Sequence, residues 1–406
     1  MKLKKFFAGV LAAAMMLTVG ATAAFATTGS GSSTNSFGKN EGEIALTDNL
    51  TLTKHYEVVK GKAPLGSFKF DISYVGSKDL ETGKTFTAPS SFDPVEAVFT
   101  KDSGQNGTET GLAVGKYSAT FNISMGALGL DSFNGTGKFA YKISEVDDHQ
   151  PGVTYNTDGG NLYLIVTVTH KTTGDNHEIV KNAYNYSAAL YRTSGEVTSV
   201  DQATAGTKVE AKDAFHNTYG ADNIVNGVEL SKTVHGNFAD LGKKFTFSVR
   251  FDKATVSSAK VYGPITVDNT TGNAIYEADA NGNATGSAVT ELEYGKTYIV
   301  TLKHEDKVTF NNLPAGVTYT MTENGKSTTE SGAVKVDGVY DVTGEQSEDK
   351  TIQADANVDK VEIHNTNQES PDMGVVLDNA PYIAMLAIVA IGGVALMLNK
   401  RRRDEE

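Results

Sequence analysis

Twice in this 406-residue chain, a lysine, a glutamate and an asparagine stand where strand alternation calls for apolar residues. The first set is Lys54, Glu145 and Asn217, and the second is Lys232, Glu323 and Asn365. Strand side chains alternate faces, so residues two apart share one face. Leu50 and Leu52 lead to Lys54, Tyr141 and Ile143 to Glu145, and Phe215 to Asn217. Val228 and Leu230 lead to Lys232, Tyr319 and Met321 to Glu323, and Val361 and Ile363 to Asn365. All six polar groups are thus aimed at apolar interiors, a costly placement unless they pair or react. Lys69 and Lys142 have apolar flanks of the opposite parity and are expected to face outward. The lysine-to-glutamate separation is 91 in both sets, whereas the glutamate-to-asparagine separation is 72 in one and 42 in the other. The repeat is therefore structural and diverged.

A lysine amine, a carboxamide and a carboxyl group packed together can form an amide bond. Burial disfavours the ammonium and leaves a neutral nucleophile. The same burial raises the glutamate, which stays protonated, donates to the amide carbonyl and shuttles protons as ammonia leaves. Fixed contact replaces a bimolecular encounter. The product is a Lys–Asn isopeptide bond, made once without turnover, which makes the chain structural and not an enzyme. Each bond joins the first strand of its domain to the last and closes a long loop.

The elements that must hold these groups are strands. Phe68 to Tyr74, Tyr117 to Ile123 and Phe245 to Phe251 alternate cleanly, and Leu162 to Val168 is a near-continuous apolar run of the kind a central strand carries. Gly and Asn turns separate them, and Asp279-Ala280-Asn281-Gly282-Asn283 reads as a hairpin turn rather than a calcium loop. The pattern predicts an all-β chain of two tandem immunoglobulin-like antiparallel sandwiches, residues 44–220 and 224–367, with a hinge at residues 220–223. Residues 27–43 form a Ser/Gly/Thr/Asn linker.

The chain ends point outside the cell. Lys2, Lys4 and Lys5, an apolar run and Ala24-Phe25-Ala26 make residues 1–26 a secretory signal peptide. Near the other end, Tyr382 to Leu398 is an uncharged apolar span, followed by a basic cytoplasmic tail over residues 399–406. With no cysteine, disulfides cannot brace the exported fold. A net charge of −13 disfavours nucleic acid as a partner. The eight histidines lack metal-ligand spacing, so neither a metal nor a cofactor is expected. His216 and His364 each precede a triplet asparagine and are expected to face away from it.

Ser370-Pro371-Asp372-Met373-Gly374, placed before the apolar span and basic tail, resembles the cell-wall sorting signal of Gram-positive surface proteins. That signal usually reads Leu-Pro-x-Thr-Gly, so Ser370 replaces leucine and Met373 replaces threonine. Cleavage by sortase would fall between Met373 and Gly374. A first-strand lysine, Tyr-x-(Ile/Met)-x-Glu mid-domain and Phe-His-Asn or Ile-His-Asn on the last strand resemble the streptococcal pilin isopeptide-linkage domain, the CnaB-type sandwich. By that resemblance Lys54 bonds Asn217 with Glu145 assisting, and Lys232 bonds Asn365 with Glu323 assisting. The two-domain layout is similar to major, or shaft, pilins that sortase polymerises head to tail through an exposed lysine. The resemblance places that lysine near the end of the first domain and nominates Lys208 or Lys212. Both lie an odd count from Asn217, which directs them outward from an unbulged strand. Implied partners are sortase, identical subunits, minor pilins and host surface ligands. A monomeric wall- or membrane-anchored adhesin or stalk built from the same domains is the competing expectation.

Overall fold

The computed structural model describes residues 46 and 48–369, apart from 157, 159, 174, 256–259, 345, 346 and 356, together with 385, 386, 388 and 389. The signal-peptide, linker, sorting-motif and basic-tail assignments lie outside the described residues, as does nearly all of the apolar span. No helix among the described residues is long and apolar enough to cross a membrane.

The described chain is all-β in its main elements and forms two sandwich-like bodies. In the first, a sheet orders Gly115–Ser124, Asn49–Val58, Phe215–Tyr219 and Val153–Tyr155. It faces a larger sheet ordered Thr207–Val209, Glu178–Thr193, Asn161–Thr173, Gly137–Glu145, Gly66–Lys78 and Val95–Phe99. In the second body, Lys307–Pro314, Val225–His235 and Asp359–Thr366 are successive strands of one sheet. The facing sheet includes, in order, Thr297–Leu302, Phe245–Asp252, Thr318–Glu323 and, at its edge, Ser347–Thr351.

Period-two patterning decides which faces meet. Asn49–Val58 and Phe245–Asp252 alternate strictly between buried and half-buried positions. Their inner residues join two separate apolar cores, one centred on Phe70, Phe121 and Tyr141 and the other on Phe247, Phe251 and Phe310. Rings of Phe70 and Phe121 stack at 4.1 Å between centroids and lock the two sheets of the first body together. Asn161–Thr173 occupies an interior position in its sheet, as its apolar run predicts. Its outer face is covered as well. Tyr163 and Ile165 pack with Val200 and Ala203 of a short helix, Val200–Thr204, whose first turn is capped by the Ser199 side chain. A strand buried on both faces loses its alternation, which accounts for the unbroken apolar sequence.

One expectation needs correction. Most neighbours are antiparallel, but the first and last strands of each body pair in parallel. Strand alternation reports faces, not strand direction, so this arrangement was not legible from parity. The Asp279 turn is a hairpin connection: the Asp279 N–H donates to the Asn283 carbonyl, the Asn283 N–H donates to Asp279 Oδ1, and Glu277 pairs with Thr285.

Between the bodies sits Asn312, 2 % exposed and held at a φ of 66°. Its Oδ1 accepts from the Lys62 backbone N–H at 2.9 Å and the Tyr219 hydroxyl at 3.0 Å. Its Nδ2 donates to the carbonyls of Lys62 and Pro264, both at 2.7 Å. Every hydrogen-bonding capacity of the carboxamide is used. Gly61 makes room for it: a Cβ there would come within 2.1 Å of Asn312 Oδ1. The segment expected to act as a hinge is therefore flanked by a buried polar fastening.

Candidate functional site

Both triplets are assembled by the same register. Lys54 stands opposite Phe215, and Asn217 opposite Tyr56, so Lys54 and Asn217 are diagonal neighbours on the inner face of a parallel strand pair. Lys232 stands opposite Ile363, and Asn365 opposite Val234, which is the same diagonal. The glutamates reach in from the facing sheets, where Glu145 pairs with Phe70 and Glu323 with Phe247. Loop lengths differ between the bodies, but this three-strand register does not.

In the first site, Lys54 Nζ donates to Glu145 Oε2 at 2.7 Å, and Asn217 Nδ2 donates to Glu145 Oε1 at 2.7 Å. In the second, Lys232 Nζ lies 3.3 Å from Glu323 Oε1 and 3.4 Å from Oε2, and Asn365 Nδ2 donates to Oε1 at 2.7 Å. Each carboxyl group thus bridges an amine and an amide. Lys54 and Lys232 are fully buried and rank among the largest enclosed side chains. Lys54 Nζ sits 5.1 Å from the centroid of Phe68, and Lys232 Nζ sits 4.6 Å from that of Phe245. These rings exclude water while offering a cation only a weak partner.

Burial pushes both amines down, Lys54 and Lys232 alike to about 8, against the opposing pull of their glutamates. Burial also pushes Glu145 and Glu323 up, against the lysines that favour their charged forms. Moving one proton from amine to carboxylate removes both charges from a poorly solvated site. The two sites differ in access. A cleft of about 420 Å³ lined by Glu145, Tyr155, Asn156, Arg192 and Phe215 opens onto the first, whereas Lys232 and Glu323 side chains have no exposed surface.

One detail departs from the sequence expectation: each glutamate meets the amide nitrogen, not the carbonyl oxygen. Asn217 Oδ1 instead accepts from the Asn156 backbone N–H at 3.1 Å. Nothing in the side-chain pattern could reveal that donor. Among the described residues, no donor reaches the buried Asn365 Oδ1.

Lys69 and Lys142 face away from the core, and Lys142 pairs with Glu196. Lys208 and Lys212 are exposed, but not for the expected reason. No continuous strand runs from them to Asn217. Lys208 lies on Thr207–Val209, an edge strand of the other sheet, and Lys212 on a 3₁₀ turn, Ala211–Asp213.

Over 365 residues the chain is 27 % identical to the pilin of Streptococcus pyogenes serotype M1, covering 87 % of this chain and 90 % of that protein. Over most of its length the chain is homologous to that streptococcal pilin. Residues 226–367 match a family described as a domain of unknown function, DUF7601. A crystal structure of the major pilin from S. pyogenes aligns over 79 % of this chain and 98 % of its own, with a TM-score of 0.45 and 21 % identity. The T-13 major pilin of S. pyogenes aligns over 79 % and 97 %, with a TM-score of 0.39 and 17 % identity.

Proposed function

We propose that this pilin homologue is a shaft subunit of a Gram-positive surface pilus, braced by one self-formed Lys–Asn isopeptide bond in each body. The observation that carries the reading is the shared register, which twice brings a buried lysine and a buried asparagine together on a glutamate, between otherwise different loops. In the first site, Glu145 takes a proton from Lys54 Nζ, and the neutral amine attacks Asn217 Cγ, whose oxygen the Asn156 N–H steadies. The Nζ–Cγ bond forms, Glu145 delivers its proton to Nδ2 and takes the second proton from the attacking nitrogen, the Cγ–Nδ2 bond breaks, and ammonia leaves with Glu145 protonated. The cleft beside Glu145 gives that ammonia an exit. Lys232, Glu323 and Asn365 follow the same steps. Turning over the Asn365 carboxamide presents its unpartnered oxygen to a protonated Glu323. No outside reagent is consumed.

The signal peptide exports the chain, and residues 370–374 with the following span hold it for sortase at the cell surface. Sortase then joins the residue at the Met373 position to an exposed lysine of an identical subunit, Lys208 or Lys212. Lys212 Nζ lies 2.8 Å from Glu210 and is 70 % exposed, which suits an amine presented to an enzyme. Co-expression with a pilin-class sortase tests this. A ladder of SDS-resistant species should appear and collapse in Lys208→Ala/Lys212→Ala. A single band with active sortase would instead favour the anchored adhesin or stalk.

A further inference from the structure

On the outer face of the strands that carry Lys54 and Asn217, their neighbours His55 and His216 stand opposite one another in register. The rings stack at 4.8 Å between centroids, with planes 16° apart. Asp213, on the 3₁₀ turn, completes a group: one donor atom from each of His55, Asp213 and His216 lies within 4.8 Å of the others. Two ligands on one zinc ion stand about 3.3 Å apart, so closing the group needs only small side-chain rotations.

The surroundings of the rings matter more than their proximity. His55 Nε2 lies 2.6 Å from the Lys212 carbonyl, which can only accept, so this nitrogen carries the proton and Nδ1 keeps a lone pair. His216 Nδ1 lies 2.9 Å from the Asp158 carboxylate, leaving the lone pair on Nε2. Asp158 is itself fixed, because its other oxygen accepts from the His216 backbone N–H at 2.9 Å. A carbonyl or carboxylate behind each imidazole is the arrangement that orients histidine toward a metal.

The second body supplies the contrast. His235 and His364 also stack, at 5.3 Å, but His235 Nε2 and His364 Nδ1 bond directly to each other at 3.1 Å. Among the described residues, no carboxylate joins that pair in a comparable group. Stacked histidines thus occur twice, and the donor set and its supports occur once.

We infer that His55, His216 and Asp213 form a site for a divalent transition metal of the zinc class, with a coordination position open to water or to a group from another molecule. Two neutral imidazoles and one carboxylate suit zinc, cobalt or nickel rather than calcium or magnesium. The site is independent of the isopeptide reading, since the two use opposite faces of the strand pair.

Zinc titration of the full chain against a chromophoric chelator tests the inference, with cobalt as the spectroscopic probe. One zinc per chain is expected, and cobalt should give the visible absorption of a low-symmetry site. His55→Gln and His216→Gln should each weaken zinc by about tenfold or more, and Asp158→Asn by about tenfold through its hold on His216. His364→Gln should leave the affinity unchanged. Should His55→Gln or His216→Gln fail to fold, Asp213→Asn at an exposed position serves, with loss of zinc-dependent thermal stabilisation as the readout. Absence of stoichiometric zinc binding, retention of full affinity in the His55, His216 or Asp213 variant, or equal loss in His364→Gln would overturn the inference.

Discussion

Each site turns on a proton shared between a lowered amine and a raised carboxyl group. The reactive arrangement, neutral lysine with protonated glutamate, holds the same number of protons as the ion pair, so its share is constant wherever one proton is held. Above about 8 that proton is lost and attack on the amide loses its acid. Below the raised carboxyl range a second proton arrives and the amine stays charged. Bond formation during refolding from inclusion bodies should therefore follow a bell in pH, with its upper limb near 8. Quenched samples read by mass across a pH series check this; a rate still climbing well above that limb would contradict it. Glu145→Ala should block the first bond alone, and Glu323→Ala the second alone.

At the scale of strands, the proposed bond would tie the first strand to the last through a loop of well over a hundred residues. By the loop-closure estimate used for disulfides, each such bond would contribute roughly 5 kcal/mol, with the enthalpic part depending on strain. Lys232→Ala should lower the melting temperature of the second body and expose it to protease while leaving the first body's transition in place. Differential scanning calorimetry with limited proteolysis measures both. A single shared drop across both transitions would show that the bodies do not unfold separately. The triplets themselves were legible because parity assigns faces, and a polar residue among inward leucines stands out. Other parts of the site left no such trace. The parallel pairing that sets the Lys–Asn diagonal depends on how strands are ordered across the sheet. The Asn156 donor is a backbone group. A 3₁₀ turn, which carries Lys212, separates Lys208 from Asn217, so parity along one strand does not apply to these lysines, which are exposed because both lie on surface elements. Sequence alone directs His216 away from the triplet and gives His55 no role; the meeting of the two rings needs the register of two distant strands.

Across the whole molecule, force applied along a fibre would pass through two clamps and the joint between them. Asn312 centres that joint, with Lys62 Nζ paired to Glu291 at 2.5 Å on its rim. Asn312→Ala leaves the Tyr219 hydroxyl and both Lys62 backbone groups without that partner, at a cost on the order of 1–3 kcal/mol for a buried polar group left unpaired. Small-angle scattering should show a broader distribution of shapes in this variant, with both internal cross-links intact. An unchanged distribution would locate the stiffness elsewhere.

The most direct test of the account is the intact mass of the purified full chain under denaturing conditions, with any removed signal segment identified from the N-terminus. The mass should fall short of the sequence by two ammonia molecules, with one restored in Glu145→Ala and both restored in Glu145→Ala/Glu323→Ala. Full sequence mass in the unsubstituted chain would contradict the account outright.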